Sequence, residues 1–544
     1  MSGAEPRRDT KWWGWGDPET TASLPAAALE HLDGRIGLGA GPISALSDVQ
    51  LPDPLPLPDR LLAACGSDAV TVGREDRIRH ATGQSYPDLV RLRGGVLDEA
   101  PDAILVPPDG PAVVRILEAC SDAAVAVVPY GGGTSVVGGV APLRGAHERV
   151  VALDLCRLRR SSVDRRSLIA SLGPGLRGPE AEALLRREGL TLGHFPQSFG
   201  FGTIGGFAAT RSAGQASSGY GRFDELVSSV AMATPIGELR TLETPHSAAG
   251  PSLRELALGS EGTLGVLTEL SVRVREAPET RRYEGWILPG FEEGADAVRN
   301  LAQSDLLPDV VRLSDASESE ISRLLSGARG PRKLGADLYL RVRGRREGCV
   351  LIVGWEGERD AVARRRALGA AALRRAGGVS LGRAPGRAWE RGRYVGPYIR
   401  DALLDVGVMA ETLETSHTWA RLMSLYTAVG SAIEASLAKQ GTPPIVMCHL
   451  SHAYRDGASL YFTFIARQRE GSELGQWRAV KVAASEAIVA AGGTITHHHA
   501  VGRDHAPYMR AELGDVGLEA LRAVKEGLDP SGIMNPGKLL PTNG

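Results

Sequence analysis

Pro129-Tyr-Gly-Gly-Gly-Thr-Ser135 is the stretch on which the reading of this chain turns. The preceding Val125-Ala-Val-Val128 is a strand by its β-branched character. Three consecutive glycines then let the backbone turn tightly and present several N–H groups to one anion. The loop has neither the Gly-Lys-Ser/Thr ending of a P-loop nor the Gly-x-Gly-x-x-Gly spacing of a dinucleotide-binding turn. Alone, it fits a plain tight turn equally well. Two further stretches change that balance: Pro196-Gln-Ser-Phe-Gly-Phe-Gly-Thr-Ile-Gly-Gly206 and Gly259-Ser-Glu-Gly-Thr-Leu-Gly-Val-Leu-Thr268. Both repeat the combination of glycine with small hydroxyl residues. Three such loops point to an extended, diphosphate-bearing cofactor lying against bare backbone.

Outward from these loops the fold class is α+β. Residues 1–99 form an extension with Pro52-Asp-Pro-Leu-Pro-Leu-Pro58 as an extended linker and a helix near Pro58–Cys65. From residue 100 the pattern predicts strands at Ala103–Val106, Val125–Val128, Val150–Leu155, Ser167–Leu172 and Leu264–Val274, with helices at Gly110–Ser121 and Pro179–Glu188. After Ala277 strands and helices alternate again: Arg282–Leu288 then Phe291–Gln303, and Gly335–Arg343 with Gly348–Trp355 then Glu358–Arg375. The longest helical pattern covers Ser416–Lys439. Leu460–Arg467 follows as a strand, then helices at Leu474–Ala491 and Leu518–Glu526. The expected division is an extension over 1–99, a cofactor-binding unit over 100–277, a second α+β unit over 278–510, and a helical tail over 511–544.

Composition narrows the function classes. The chain has 68 glycines in 544 residues without a Gly-X-Y period, and 43% of residues are hydrophobic, which excludes collagen-like and disordered readings. With 62 Lys+Arg against 64 Asp+Glu, no nucleic-acid partner is expected. The five cysteines form no Cys-x-x-Cys pair, so zinc ribbons and thioredoxin-like motifs are unsupported and a reducing compartment is expected. Arg7-Arg8 is followed by Asp-Thr-Lys-Trp-Trp-Gly-Trp rather than an apolar run, and no eighteen-residue apolar stretch occurs. The expected location is cytoplasmic, with at most peripheral membrane contact.

A cofactor fold does not choose a reaction, so the second half must carry that information. Thr494-Ile-Thr-His-His-His499 leads into Ala-Val-Gly-Arg503-Asp-His505. If this run is extended, His497 and His499 share one side and His498 points away, which makes a metal site from three consecutive ligands awkward; no metal is expected. The other reading is a set of solvent-exposed histidines. Together with Arg503 and His505 the cluster suits a phosphate or carboxylate. In Ser459-Leu-Tyr-Phe-Thr-Phe464, alternation puts Leu460, Phe462 and Phe464 on an apolar face and Tyr461 on a polar one. Arg400, in Pro397-Tyr-Ile-Arg-Asp401, either meets a ligand or pairs with Asp401 or Asp405. Arg312, in Val-Val-Arg-Leu-Ser-Asp315, is equally open.

The three glycine loops resemble the FAD-binding elements of the vanillyl-alcohol-oxidase (PCMH-type) flavoproteins over about residues 101–275. The resemblance implies two α+β subdomains gripping FAD, a separate cap, and a tail packing back near the flavin. Gly131, Gly132, Gly133, Thr134 and Ser135, after Pro129, would hold the pyrophosphate. Pro196, Ser198, Thr203, Gly205 and Gly206 would line the flavin, with Glu261, Gly262 and Thr263 nearby. Thr134-Ser135 stands where some relatives attach FAD through histidine, so noncovalent FAD is expected.

Lys11-Trp-Trp-Gly-Trp-Gly-Asp17, Val311-Arg-Leu-Ser-Asp315, Pro397-Tyr-Ile-Arg-Asp401, Gly457-Ala-Ser-Leu-Tyr-Phe-Thr-Phe464 and Gly492-Gly-Thr-Ile-Thr-His-His-His499, taken in order, resemble the alkyldihydroxyacetonephosphate synthase family. That implies exchange of the acyl chain of acyl-dihydroxyacetone phosphate for a long-chain fatty alcohol without net redox. The partners would be a lipid-like phosphorylated substrate and the alcohol, with a homodimer as the candidate oligomer and a hydrophobic tunnel in the cap. By the same resemblance Tyr461 activates the alcohol and Arg400 contacts the acyl carboxylate. His497, His498 and His499 line the flavin face, with His499 preferred for proton transfer; Arg312 and Arg503 lie near the substrate. The closing Asp529-Pro-Ser-Gly-Ile-Met-Asn-Pro-Gly-Lys538 instead resembles flavin-dependent D-2-hydroxyacid dehydrogenases, which carry Asn and Lys at the flavin edge. An FAD-linked oxidoreductase of D-lactate or glycolate type is therefore the alternative.

Overall fold

Asp109 caps the helix Gly110–Asp122 by accepting the Ala112 N–H at 2.9 Å, and Pro111 sits in the first turn, where no N–H is needed. This helix buries Val113, Ile116, Leu117 and Cys120 against a four-stranded sheet. Its strands are β1 (Val70–Thr71), β2 (Ala103–Leu105), β3 (Val125–Tyr130) and β4 (Arg149–Asp154), in the order β1-β2-β4-β3, with β2, β4 and β3 parallel. Parallel strands covered on both faces need unbroken apolar runs, which Ala-Ile-Leu and Val-Ala-Val-Val supply. The computed structural model describes residues 6–325 and 348–541, so the strand expected at Gly335–Arg343 lies outside the described residues.

A five-stranded antiparallel sheet stands next to the first. It joins β5 (Ser161–Asp164), β6 (Ile169–Leu172), β8 (Val227–Thr234), β9 (Gly237–Arg240) and β10 (Val266–Arg273) in the order β5-β6-β10-β8-β9, while β7 (Leu190–Thr191) pairs with β11 (Arg275–Glu276). β5, β8 and β9 add to the strands expected from sequence. Every residue of β8, Val-Ser-Ser-Val-Ala-Met-Ala-Thr, is buried, so it carries no alternation to read.

The second half is one seven-stranded antiparallel sheet. Its strands are β12 (Thr280–Leu288), β13 (Val310–Ser314), β14 (Cys349–Gly357), β15 (Val379–Gly382), β16 (Val408–Thr418), β17 (Ile445–Ala453) and β18 (Gly457–Arg467), in the order β15-β12-β14-β13-β17-β18-β16. One face packs under the helices Phe291–Gln303, Arg359–Arg375, Trp419–Lys439 and Glu473–Ala490, burying Trp286, Trp355, Leu460, Phe462 and Phe464. Ser416–Thr418 end β16 rather than begin a helix, which corrects the expected start at Ser416.

Both termini cross back to the glycine-loop sheets. The tail helix Met509–Leu528 leads to an extended segment in which Val127 donates to the Ile533 carbonyl and Asn535 to the Val127 carbonyl, each at 2.8 Å. Near the N-terminus, Asp9 pairs with Arg177 while the Trp15 N–H donates to Asp401 at 2.7 Å, so this strap touches both halves. No helix among the described residues is long and apolar enough to cross a membrane.

Candidate functional site

A cavity of about 530 Å³ lies between the glycine loops and the free face of the seven-stranded sheet. Pro129, Gly131, Gly132, Gly133, Thr134, Ser135, Pro196, Ser198, Thr203, Gly205, Gly206, Glu261 and Gly262 all line it. The loops touch one another directly: a Cβ on Gly131 would meet Thr203 Oγ1 at 2.3 Å, and one on Gly132 would meet the Phe201 carbonyl at 2.1 Å. Gly133 has φ +63°, a conformation glycine adopts without strain. The N–H groups of Gly131 to Thr134 find no protein acceptor among the described residues. A side-chain-free floor with unclaimed N–H groups fits the pyrophosphate of FAD.

Two residues of the third loop do other work. The Thr263 hydroxyl donates to the Ser260 carbonyl at 2.7 Å, and Thr263 stands behind Glu261 and Gly262 rather than lining the cavity itself. The Glu261 carboxylate lies at the cavity wall but accepts the Val501 and Gly502 N–H groups at 2.7 and 2.8 Å. Burial pushes its carboxyl up to about 7.

Opposite the loops, strand register sets a row of side chains on one sheet face. Glu414 of β16 is the direct partner of Tyr461 of β18, which is the direct partner of His449 of β17. Tyr461 therefore faces the cavity, as the alternation predicts, while Phe462 enters the core. Its ring stacks on His449 at 4.7 Å between centroids and meets His499 edge-on at 5.3 Å. Burial pushes the Tyr461 hydroxyl up to about 12, so it rests protonated. Arg312 is held rather than free: it donates to Glu318 Oε1 at 2.7 Å and lies 3.2 Å from His449 Nε2, while His449 Nδ1 is 3.0 Å from the same carboxylate oxygen.

The histidine run is a turn, not a strand. The N–H groups of His497, His498 and His499 converge on the Glu414 carboxylate at 2.5, 2.9 and 2.7 Å. His498 and His499 consequently line the cavity and His497 does not, which reverses the pairing an extended run would give. His497 sits behind, with Nε2 2.8 Å from the Tyr454 hydroxyl and Nδ1 3.0 Å from His498 Nδ1. Burial pulls His497 and His499 down to about 3; it also lowers His498, but Glu414 acts against that shift. His452, also at the cavity, packs on both His497 and His498 and lies 2.6 Å from Ser217 Oγ. Glu414, His497 and His498 bring ligand atoms within 4.8 Å of one another, the one such group among the described residues. The carboxylate already accepts the three backbone N–H groups and the Thr496 hydroxyl, three of these four donors on Oε1.

Arg400 lies at the cavity and pairs with neither neighbouring acid. It donates to the Gln84 carbonyl at 2.6 Å and to Gln84 Oε1 at 3.2 Å, and its buried Nε has no partner. Asp401 serves Trp15, and Asp405 binds Arg93. Arg503 reaches Glu99 at 3.1 Å and does not line the cavity. Asn535 and Lys538 also stay outside: Asn535 donates to the Gly139 and Glu261 carbonyls, and Lys538 to Ala141. Beyond Arg400 the cavity wall turns apolar, with Leu32, Ile321, Ile399, Leu403, Met447 and Ile465. Glu414, His449, His452 and Gln84 had no sequence signal, since each acts through a partner far along the chain; Glu318 joins Arg312, six residues before it, to the distant His449.

Residues 101–243 match the FAD binding domain family and residues 277–539 the C-terminal domain of FAD linked oxidases, and the protein is an FAD enzyme. The alkyldihydroxyacetonephosphate synthase of Dictyostelium discoideum is 32% identical, covering 98% of this chain and 93% of that protein. That of Trypanosoma brucei brucei is 33% identical with the same coverage. A solved alkyldihydroxyacetonephosphate synthase superposes with a TM-score of 0.84 at 29% identity, over 98% of this chain and 99% of its own. p-Cresol methylhydroxylase, at 14% identity and a TM-score of 0.66 over 89% of this chain and 96% of its own, shares the PCMH-type α+β fold. A glycolate oxidase subunit of Bacillus subtilis stands further off, 27% identical over 81% of this chain and 89% of its own.

Proposed function

The chain belongs to the alkyldihydroxyacetonephosphate synthase family, and from that premise we propose that it replaces the acyl chain of acyl-dihydroxyacetone phosphate with a long-chain fatty alcohol, giving an ether lipid precursor. The fatty acid leaves as carboxylate, the alcohol oxygen takes its place on carbon, and the alcohol proton is released, so no electrons are lost or gained overall.

The observation that carries this reading is the continuity of one cavity. It runs from the bare glycine floor past Tyr461, His498, His499 and Arg400 into an apolar arm. A small polar hydroxyacid would leave that arm unfilled, whereas an alkyl chain buries it. FAD, held noncovalently on Gly131–Ser135, Thr203, Gly205 and Gly206, supplies a conjugated ring that stabilises electron-rich substrate carbon while one oxygen substituent replaces another.

The chain's own residues would do the rest. Tyr461 takes the proton of the entering alcohol as it passes its own to a cavity imidazole. His498 is the better proton carrier than the expected His499, because its Nδ1 lies 3.6 Å from the Glu414 carboxylate. Arg400, whose buried Nε lacks a partner, receives the departing carboxylate. Arg312, already tied to Glu318 and His449, shapes the wall beside Tyr461. The working units are an extension over 1–99, an FAD unit over 100–277, a cap over 278–510 and a returning tail over 511–544. Contact with a lipid surface is peripheral.

The test is an anaerobic incubation of the yellow protein with acyl-dihydroxyacetone phosphate and hexadecanol. Fatty acid release without lasting flavin bleaching is expected. Stable bleaching by D-lactate or glycolate, with no fatty acid released, would make the protein a dehydrogenase instead.

A further inference from the structure

Glu414 is a buried carboxylate, 1% exposed, in the middle of a strand. Its Oε1 accepts the His498 N–H at 2.9 Å, the His499 N–H at 2.7 Å and the Thr496 hydroxyl at 2.7 Å; its Oε2 accepts the His497 N–H at 2.5 Å. Successive N–H groups converging on one point form an anion-binding concavity. Here the anion is built into the fold. Nothing else among the described contacts accepts these three N–H groups, so the path of the backbone through the histidines depends on this carboxylate.

The same carboxylate has an electrostatic reach. Oε2 retains a free side toward His498 Nδ1, 3.6 Å away. The other titratable or charged groups acting around His498 are Arg222, His449, His452, His497, His499, His194 and Tyr461. Arg222 opposes a proton there, although Asp224 pairs with it at 3.1 Å. The neighbouring imidazoles oppose one as well, whenever they are charged. Glu414 is the carboxylate that favours it. Burial alone would raise the Glu414 carboxyl, but the three histidines and the N–H donors hold it well below the usual range, so it stays ionised.

We propose that Glu414 is the positioning residue of this site: its carboxylate folds the three-histidine turn so that His498 and His499 face the cavity, and its charge lets His498 carry a proton in a buried setting. The catalytic half of this statement rests on the reaction proposed above; the geometric half does not.

The experiment compares the full-length, FAD-loaded parent with Glu414→Gln and Glu414→Asp. The protein is labelled at its twelve histidines, and His498→Asn assigns the His498 signal. The readouts are the His498 titration midpoint by NMR and the KM and kcat of fatty acid release. Loss of a charge at this distance should lower the midpoint in Glu414→Gln by about one pH unit or more. kcat should fall by about 10–100-fold with KM nearly unchanged. Glu414→Asp, with the charge one methylene further back, should lie between the two. A Glu414→Gln midpoint equal to the parent's would overturn the proposal. Should that variant fail to retain FAD, Glu414→Asp decides, and a midpoint at or above the parent's overturns it. If the parent itself releases no fatty acid, the reaction assignment fails while the midpoints still decide the role of Glu414.

Discussion

The rings of Tyr461 and His449 lie 4.7 Å apart and within 18° of parallel, because β17 and β18 set the two residues directly opposite each other. Cross-strand stacking of this kind fixes the phenol plane and leaves its hydroxyl as the group presented to the cavity. Removing only that oxygen should therefore spare the fold and damage the chemistry. Tyr461→Phe is expected to lower kcat by about 10²–10⁴-fold, the range of a lost acid–base group, with an unchanged melting temperature and full FAD content. Full turnover in this variant would remove Tyr461 from the reaction.

A second prediction concerns the triad behind that ring. Burial alone would raise the Glu318 carboxyl, but Arg312 and His449 hold it far below the ordinary value of about 4.3. A carboxyl lowered by folding contributes stability that is complete above its unfolded value and is lost as pH falls toward its folded one. Glu318→Gln should destabilise the protein by about 1–3 kcal/mol near neutrality, since it also leaves Arg312 without its partner. In urea denaturation the gap between parent and variant should hold constant above about pH 5 and narrow on acidification. A gap that stays the same down to about pH 3 would show that Glu318 acts by shape alone.

How much of this was legible in the chain follows from where each signal is stored. Gly131–Gly133, Thr203 and Gly206 are local signals, because a bare backbone floor needs small residues at adjacent positions. Tyr461 was legible through strict alternation with Leu460 and Phe462. β16 was not, because Val-Met-Ala-Glu-Thr-Leu-Glu-Thr-Ser-His-Thr carries carboxylates and hydroxyls that read as solvent-facing, whereas Glu411 and Glu414 are buried. Alternation misassigned His497 and His498 for a related reason. What bends that run is a carboxylate about eighty residues upstream, and no pattern within the run encodes it. Arg503 follows the same rule: its partner, Glu99, lies 404 residues away.

The glycine floor can be tested with its own control. A Cβ on Gly132 would stand 2.1 Å from the Phe201 carbonyl, so Gly132→Ala must push the first and second loops apart. Gly200, in the same second loop, has nothing within 4 Å of its added Cβ. Gly132→Ala is expected to bind FAD at least about tenfold more weakly, the cost of even a modest misfit, whereas Gly200→Ala should purify as yellow as the parent. Flavin absorbance per mole of protein reads both. Equal flavin content in the two variants would place the pyrophosphate elsewhere.

Glu261 yields the prediction of opposite sign. Burial lifts its carboxyl to about 7, against the Val501 and Gly502 N–H groups that favour the ionised form. A carboxyl raised by folding contributes stability that is present below its unfolded value, about 4.3, and is lost as pH rises through the folded value. The parent should therefore lose about 2–4 kcal/mol relative to Glu261→Gln between about pH 4 and 8, and no more above that. The amide also gives up one acceptor for the two N–H groups, which adds an offset that does not vary with pH. The slope of the difference, not its absolute size, is thus the quantity to measure in urea denaturation. Because Val501 and Gly502 follow the histidine turn after the single residue Ala500, the same titration should loosen the link between that turn and the FAD loops. FAD release from the parent should accordingly quicken across this pH window and stay flat in Glu261→Gln; parallel release profiles would assign the slope to another group.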